Sequence, residues 1–275
     1  MSFSINTNGA ALLALENLTS TQSSLQKTQN EISTGLRVSS ATDNGATWAI
    51  AQNERSTISA LDTSTDSLNR AVSTVDVAVS AGQSISDLLN QMKSKALAAT
   101  DTSLNTSSID ALANDFTALR NQIASIVKNA NFNGINMIQT SGTNIYAIAN
   151  ASGSSKLTVQ AVNLGLGGTT VTVTAAGTFS SNATASAQLA LVNSSITNVN
   201  AAVAKLGTGV NALQTQLSFT SNLQDTLTTG VGNLVDADVA KESAALTALQ
   251  TKQQLGVQAL SIANSSSSVL LSLFH

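Results

Sequence analysis

The feature that most constrains this chain is the spacing of its apolar residues, which alternates between three and four along much of the sequence. The longest uninterrupted series comprises Leu189, Val192, Ile196, Val199, Val203, Leu206, Val210, Leu213 and Leu217. This spacing places the apolar residues on one stripe of an α-helix and is typical of helices that pack on one another. The chain also lacks proline, the residue that most readily breaks a helix. We therefore expect long helices.

Two further stripes predict the partners of this helix. One runs from Ile58 to Ala99 with a phase shift at Ile85, and a continuous helix over that range would be roughly 60 Å long. That length exceeds the width of a compact domain, so we expect a rod. A third helix is predicted from Ile109 to Ile126, ended by Asn131-Phe-Asn-Gly134. The predicted rod core is Leu68, Val72, Val75, Leu119, Val199, Val203, Leu206 and Val210.

The helical period is lost between residues 141 and 185, where apolar and polar residues alternate instead. Alternation occurs in Ile145 to Ala149, in Leu157 to Ala161, and at Val171 and Val173, with glycine-containing turns between them. We predict a small β region. The many Ser and Thr residues here fit solvated turns and sheet edges, and O-glycosylation is the alternative.

Both ends of the chain carry thinner apolar stripes. The N-terminal stripe is interrupted by Gln22 and Gln29, which we expect to hydrogen-bond across a packed interface. Such helices bury too little alone to offset the entropy of ordering, so we expect them to be disordered in a monomer and to fold against neighbours. The stripe residues that we predict to form an inner coiled coil are Leu18, Leu25, Ile32, Leu255, Ile262 and Val269.

These elements predict a mainly α fold, an elongated antiparallel helical rod or coiled coil with a small central β region. We expect a hinge near Thr228-Thr-Gly-Val-Gly232. The predicted division is residues 1–45 with 235–275 as inner terminal helices, 46–140 with 186–234 as the outer rod, and 141–185 as the β region.

Composition excludes much chemistry. The chain has no cysteine, its one histidine is the terminal His275, and twelve basic residues face fifteen acidic ones. Thiol catalysis, a histidine-based triad or zinc site, and the basic patch needed for nucleic acid are therefore not expected. The carboxylates of Asp236, Asp238 and Glu242 fit a helix start better than a cation site. Gly207-Thr-Gly209 lies inside a helical stripe, so we expect neither nucleotide nor any other cofactor.

Membrane and secretion signals are also missing. The apolar run Val269 to Phe274 is far shorter than the ~20 residues of a membrane span. The first basic residue is Lys27, so the N-terminus lacks the positive region of a secretory signal peptide. Composition alone predicts a cytoplasmic protein, unless a dedicated export machine reads an uncleaved N-terminus.

At both ends the sequence closely resembles bacterial flagellin, the subunit of the flagellar filament. The N-terminal match includes Ile5-Asn-Thr-Asn8, Glu31-Ile-Ser-Thr-Gly-Leu-Arg-Val-Ser-Ser-Ala-Thr-Asp-Asn44 and Ala49-Ile-Ala51. The C-terminal match includes Asp236-Ala-Asp-Val-Ala240, Glu242, Leu246-Thr247, Gln250, Gln254, Ala259-Leu260 and Ala263-Asn264. The resemblance covers about residues 1 to 140 and 186 to 275, and the large outer domains of longer flagellins are missing.

This resemblance implies a structural protein that is exported unfolded by a flagellar type III apparatus and polymerises at the filament tip. It implies contacts with filament cap and hook-junction proteins, and a cytoplasmic export chaperone that holds the C-terminal helices, approximately 235 to 273. A chain without proline avoids slow isomerisation, and one without cysteine cannot crosslink outside the cell; both suit this route.

One departure from the family concerns immune recognition. In many flagellins the helix near 90 carries an Arg and a Glu, followed by a Leu, which the animal Toll-like flagellin receptor reads. This sequence has Gln91, Ser94 and Lys95 there. We therefore expect weak or absent receptor activation.

Two other functions are compared with the filament subunit. A hook-filament junction protein has similar termini, but commonly has a more elaborate middle than residues 141 to 185 offer. An enzyme is disfavoured because metalloprotease-bearing flagellins carry a His-Glu-x-x-His insert, and this chain has no internal histidine.

Overall fold

The structure is a computed structural model that describes the backbone of residues 7–272 and the side chains of residues 7–265. Its elements, in chain order, are α1 (Gly9–Thr34), α2 (Gly45–Ala98), α3 (Thr106–Asn129), β1 (Ile145–Ile148), β2 (Lys156–Val159), α4 (Asn182–Val235) and α5 (Val239–Ser272). The prediction of a mainly α fold with a small central β region is confirmed.

The chain divides into two compact units. Unit 1 is formed by residues up to Ser56 together with residues from Thr226 onward, and unit 2 by Thr57–Asp225. Unit 1 therefore contains α1 and α5, and unit 2 contains α3 and the β-hairpin.

In unit 2, α2 and α4 run antiparallel. Asn182, at the start of α4, donates from Nδ2 to the carbonyl of Ala99 over 3.0 Å, just beyond the end of α2. Farther along α4, Gln224 donates from Nε2 to Oδ1 of Asp62 over 2.7 Å. Helix α3 adds Phe116 and Ile123, both fully buried, to the same core.

One face of the β-hairpin packs on this helical core. Strands β1 and β2 pair antiparallel with Ile145 opposite Val159, and both side chains are buried while Tyr146 points outward. The turn is fixed at both helices, because Ser64 of α2 donates to the carbonyl of Asn150 and Gln216 of α4 donates to that of Ala149. The alternation in the sequence thus marks a hairpin with one buried face.

The predicted β residues Val171 and Val173 do not form a strand. Both are fully buried, and Val171 makes only an isolated bridge with Leu166. Between them, the backbone N–H of Thr172 donates to Oγ of Ser195 on α4 over 2.9 Å. The alternation here therefore arises from packing of an irregular segment on a helix.

The hinge predicted at 228–232 does not interrupt the helix. Helix α4 continues through these residues to Val235, and the break falls at residues 236–238 before α5 begins. Val231 and Val235 are buried, and this packing outweighs the weak helix propensity of Gly230 and Gly232.

Candidate assembly interface

Helices α1 and α5 pair antiparallel in unit 1. Near the ends of the pair, Asn8 donates from Nδ2 to the carbonyl of Ala263 over 2.8 Å. In the middle, Gln253 donates from Nε2 to Oε1 of Gln22 over 2.8 Å, so one of the two glutamines that interrupt the α1 stripe does bond across the interface. The other, Gln29, is exposed.

A glycine of α5 lies where the helix packs on α1. At Gly256, an added Cβ would lie 3.2 Å from Cδ1 of Leu18, so only glycine allows the two helices to approach this closely without adjustment. Leu25 of α1 is buried, whereas Leu18 and Ile32 are half-buried. All three predicted stripe residues of α1 are therefore at least partly covered within the chain.

The predicted stripe of α5 is placed differently. Leu255 is 59% exposed and Ile262 is 70% exposed, and Val269 lies outside the residues whose side chains are described. Within one chain, Leu255 and Ile262 therefore leave most of their side-chain surface uncovered.

Several other large apolar side chains of this helix pair are exposed. We refer to the exposed large apolar side chains of this helix pair together as the α1–α5 apolar face: Leu12, Leu13, Leu15, Leu255, Val257 and Ile262, each at least 49% exposed. On α5, Leu255 and Ile262 share one stripe, whereas Val257 lies about 200° around the helix from Leu255. Between the two helices runs a groove of about 520 Å³, lined by Ala10, Leu13, Ala14, Asn17, Gly256, Ala259, Ile262 and Ala263. A large apolar surface of this kind marks an interaction site rather than a solvated face.

Backbone hydrogen bonds join the segment that follows α1 to the segment that precedes α5. We call residues 35–38 and 234–237 the clasp. Arg37 N–H donates to the carbonyl of Val235 over 2.7 Å, and Ala237 N–H donates to that of Gly35 over 2.9 Å. The guanidinium of Arg37 also donates to the carbonyl of Leu234 over 2.8 Å. The clasp fixes where both terminal helices begin and end relative to each other.

Sequence reasoning missed the clasp, although one signal was present. Gly35 has φ +69°, the left-handed conformation that glycine favours at the residue after a helix. A glycine there predicts the end of α1, but the strand-like bridge of Leu36 with Asp236 depends on residues far away in the sequence.

Next to the clasp, each terminal helix carries a carboxyl group. Glu31 of α1 is only 9% exposed, and Glu242 of α5 is close enough for its charge to act on the Glu31 carboxyl. Burial and the charge of Glu242 raise the pKa of Glu31. By contrast, hydrogen bonds donated by Ser39 and Ser40 lower the pKa of the exposed Asp43.

The residues of the predicted rod core are buried or half-buried in unit 2. Leu68, Val75, Val199 and Leu206 are fully buried and Val210 is 9% exposed. The remaining three residues are half-buried and pack against the same core: Val72, Leu119 and Val203.

The substituted receptor position lies on α2 in unit 2. Gln91 and Ser94 are exposed, and the half-buried Lys95 forms an ion pair with Asp115 of α3, Nζ to Oδ2, at 2.8 Å. This surface therefore presents the amide of Gln91 and an ion-paired Lys95.

The carboxylates near the start of α5 act as sequence analysis predicts. Oδ1 of Asp238 accepts from the backbone N–H groups of Ala240 and Lys241, each over 3.1 Å, which is an N-cap. Among residues 7–265, no group of three metal-ligating side chains is suited to a metal ion.

Gly209 lies within α4, and a Cβ added there would lie 2.8 Å from Cγ1 of Val159 on β2, so the glycine allows the hairpin to pack closely on α4. In the part of the chain that is described, no helix is both long and apolar enough to cross a membrane.

The sequence of the chain is similar to those of known proteins along nearly its whole length. The bacterial flagellin N-terminal helical region matches residues 5–143, and the bacterial flagellin C-terminal helical region matches residues 189–274. Flagellin FljM of Caulobacter vibrioides is 51% identical over 272 residues, covering 99% of this chain and 98% of its own. A flagellin of Brucella melitensis is 40% identical over 285 residues, covering 99% of each chain.

A solved structure described as a flagellar hook-associated protein from Vibrio parahaemolyticus also shares the fold. It superposes with a TM-score of 0.58 and 15% identity, covering 70% of this chain and all of that one. At this identity the likeness concerns the fold alone.

The chain belongs to the bacterial flagellin family. It is a structural subunit of the extracellular flagellar filament that gives the cell its motility, as the sequence resemblance predicted. The family is one of structural proteins.

Proposed function

We propose that subunits polymerise through the α1–α5 apolar face. The observation that carries the proposal is the exposure of large apolar side chains on a helix pair that is already packed through other residues, such as Gly256 of α5 against Leu18 of α1. Covering such residues contributes roughly 1.5–3 kcal/mol per fully buried side chain. A contact that joins different patches on successive copies and does not close into a ring produces an open helical polymer.

In the proposed filament, Leu255, Ile262 and Val269 contact neighbouring subunits and belong, with the stripe of α1, to the inner coiled coil. Leu18, Leu25 and Ile32 hold α5 in place within each subunit. The exposure of Leu255 and Ile262 supports this assignment, because side chains already covered within one chain have little surface left to offer another.

We further propose that the same apolar face is occupied before assembly. An export chaperone covers the C-terminal helices, approximately 235 to 273, in the cytoplasm, and the flagellar type III apparatus then transports the unfolded chain. Cap and hook-junction proteins meet the chain at the filament ends. The support for these partners is the family resemblance together with the exposed Leu255, Val257 and Ile262, which a partner would shield from water.

Ile262→Asp tests the proposal. A charge at a side chain that becomes covered on assembly should abolish polymerisation, because burying an unpaired carboxylate is costly. Purified full-length chain is monomerised by heat, incubated with short filament seeds under salting-out conditions and imaged by negative-stain electron microscopy. Circular dichroism checks that the helices of unit 2 remain.

Ser261→Asp is the matched control, since it introduces the same charge at the adjacent exposed position of α5. We expect filaments from the wild type and from the control but not from Ile262→Asp. Normal filaments from Ile262→Asp would refute the assigned face. Wild-type protein that only tips the seeds would favour a hook-filament junction protein.

A further inference from the structure

Less exposed positions recur every seven residues on both terminal helices. The series are Leu18, Leu25 and Ile32 on α1, and Leu249, Gly256 and Ala263 on α5. In the structure Gly256 lies against Leu18, where an added Cβ would be 4.0 Å from Cβ of Leu18. Because both series have the same repeat, a slide of one helix by seven residues, about 10 Å at 1.5 Å per residue, would bring the same faces together again.

Packing would tolerate such a slide. With α1 shifted by one repeat, Leu25 would lie opposite Gly256. Leu18 would then lie opposite Ala263, which is also small. The close approach of a leucine to a small residue is therefore available in two registers and does not choose between them.

The amide bond across the interface repeats in the same way. In the structure Gln253 donates from Nε2 to Oε1 of Gln22 over 2.8 Å, and Gln29 is exposed. Gln29 follows Gln22 by seven residues, so the same slide would bring Gln29 to Gln253 and restore the bond. These contacts alone therefore leave the register undetermined.

Contacts that do not repeat lie at the ends of the helix pair. At one end, a side-chain bond joins Asn8 to the carbonyl of Ala263. At the other end is the clasp, in which the N–H of Val38 adds a second donor to the carbonyl of Val235 over 3.2 Å. Val38 is 5% exposed, so packing also holds this end. The clasp thus supplies several bonds that are specific to one register.

Arg37 anchors the clasp to the end of α4. Its guanidinium donates to the carbonyl of Leu234 over 2.8 Å, and its N–H donates to that of Val235 over 2.7 Å. Both carbonyls lie in the last turn of α4, where main-chain carbonyls lack partners within the helix and the helix dipole favours a cation. Arg37 follows the end of α1 by only three residues, so α1 cannot slide by a repeat as an intact helix while this anchor holds.

We propose that the clasp locks the register of the terminal helices: the interface between α1 and α5 accepts two registers, and the clasp selects the one in the structure. Without the clasp, residues 35–44 between α1 and α2 are long enough to follow the slide, since an extended chain spans about 3.3 Å per residue. The inference rests on the proposed function, because the slide would move Leu255 and Ile262 about 10 Å along α1 and so alter the surface offered to a neighbouring subunit.

Engineered disulfides report the register, because the chain has no cysteine of its own. Leu18→Cys/Gly256→Cys reports the register in the structure, where the Cβ separation of 4.0 Å lies within the roughly 3.5–4.5 Å of a disulfide. Leu18→Cys/Ala263→Cys reports the slipped register. Both pairs share Leu18→Cys, so they differ only in the position tested on α5.

Each pair is placed in a chain with an intact clasp and in two clasp variants. Ala237→Pro removes the N–H that donates to the carbonyl of Gly35, and Arg37→Pro/Ala237→Pro also removes both bonds of Arg37. The residues before the two prolines, Leu36 and Asp236, form a bridge in extended conformation, which is the conformation favoured ahead of proline.

Val239→Pro is the matched control for the added proline. Proline is well tolerated at the first position of a helix, and the clasp bonds do not use the N–H of Val239. Filaments are assembled under reducing conditions, oxidised and dissociated by heat. Peptide mass spectrometry then measures the disulfides within one chain, and a non-reducing gel separates these from links between subunits.

With the clasp intact, and in the Val239→Pro control, we expect the Leu18→Cys/Gly256→Cys disulfide to form and the Leu18→Cys/Ala263→Cys disulfide to form several-fold less. In the clasp variants the first yield should fall several-fold and the second should rise, more in the double variant than in Ala237→Pro. Unchanged yields in the clasp variants would show that packing sets the register. Loss of both disulfides would show that the clasp controls pairing rather than register. Either result overturns the inference.

Failure of the proposed function has a different signature. If the wild type forms no filaments, the same oxidation is carried out on the monomer, where the register is read without assembly. A shift from the first disulfide to the second in the clasp variants supports the lock, and any other result refutes it.

Discussion

Replacing Gly82 by alanine should show how tightly α2 and α4 are packed in unit 2. An ideal Cβ at Gly82 would lie 2.6 Å from Cγ2 of Val203 on α4, whereas ordinary contacts begin near 3.4 Å. Val203 must therefore move by about 0.8 Å, although its β-branched side chain is stiff in a helix. The fully buried Leu164 lies 3.5 Å from the same Cβ position and restricts relaxation in that direction.

The destabilisation expected from Gly82→Ala is obtained by comparison with Gly207→Ala. An added Cβ at Gly207 of α4 meets no atom within 4 Å, so that variant gains only helix propensity, about 1 kcal/mol. Gly82→Ala gains the same propensity but incurs overpacking of about 1–3 kcal/mol. Since the propensity gain is common to both, Gly207→Ala should be the more stable by about 1–3 kcal/mol.

Urea unfolding of the monomer by far-UV circular dichroism measures this difference, and amide exchange of α2 and α4 peptides assigns it to unit 2. Val203→Ala should relieve the crowding, so the double variant Gly82→Ala/Val203→Ala should lose less stability than the two single effects add up to. Equal stability of Gly82→Ala and Gly207→Ala, or strict additivity in the double variant, would refute the reasoning.

Two further predictions concern the turn after α1 and the receptor position. Asp43→Asn should remove the acid-induced loss of amide protection across residues 39–44. The pKa of Asp43 is lowered, so the hydrogen bonds that its carboxylate accepts from Ser39 and Ser40 are present above the ordinary carboxyl range and are lost as the pH falls through the lowered value. Amide exchange on a pH series measures this, and an unchanged acid profile would contradict it. Because Gln91 presents no cation, the assembled or monomeric chain should activate the animal flagellin receptor weakly or not at all, and a cell reporter responding at ordinary flagellin doses would overturn this.

Long helices and their buried faces could be predicted from sequence because their signal repeats over many turns. The stripe through Val199 and Leu206 places both residues at 0% exposure, and α4 extends as one helix from Asn182 to Val235. The hairpin was predictable for a similar reason, since alternation at Ile145 and Ala147 reports one buried face. In these elements, local pattern and tertiary packing favour the same structure.

Prediction failed where a local signal competes with distant contacts. Gly230 and Gly232 suggested a hinge, but packing of Val231 and Val235 continues the helix. The clasp joins residues from opposite ends of the sequence, and no local pattern reports such a contact. A single sequence therefore indicates that the terminal helices exist but not which side chains meet between them.

The orientation of α5 about its own axis could not be predicted from periodicity alone. Leu255 and Ile262 repeat every seven residues, and so do Gly256 and Ala263, so both stripes satisfy the same helical period. Close approach to Leu18 selects the small-residue stripe for the contact within the chain and leaves the large-residue stripe outside. Because Ile262 is 70% exposed, Ile262→Asp should spare the pairing of α1 with α5. If assembly nevertheless fails in that variant, the lost contact belongs to a neighbouring subunit.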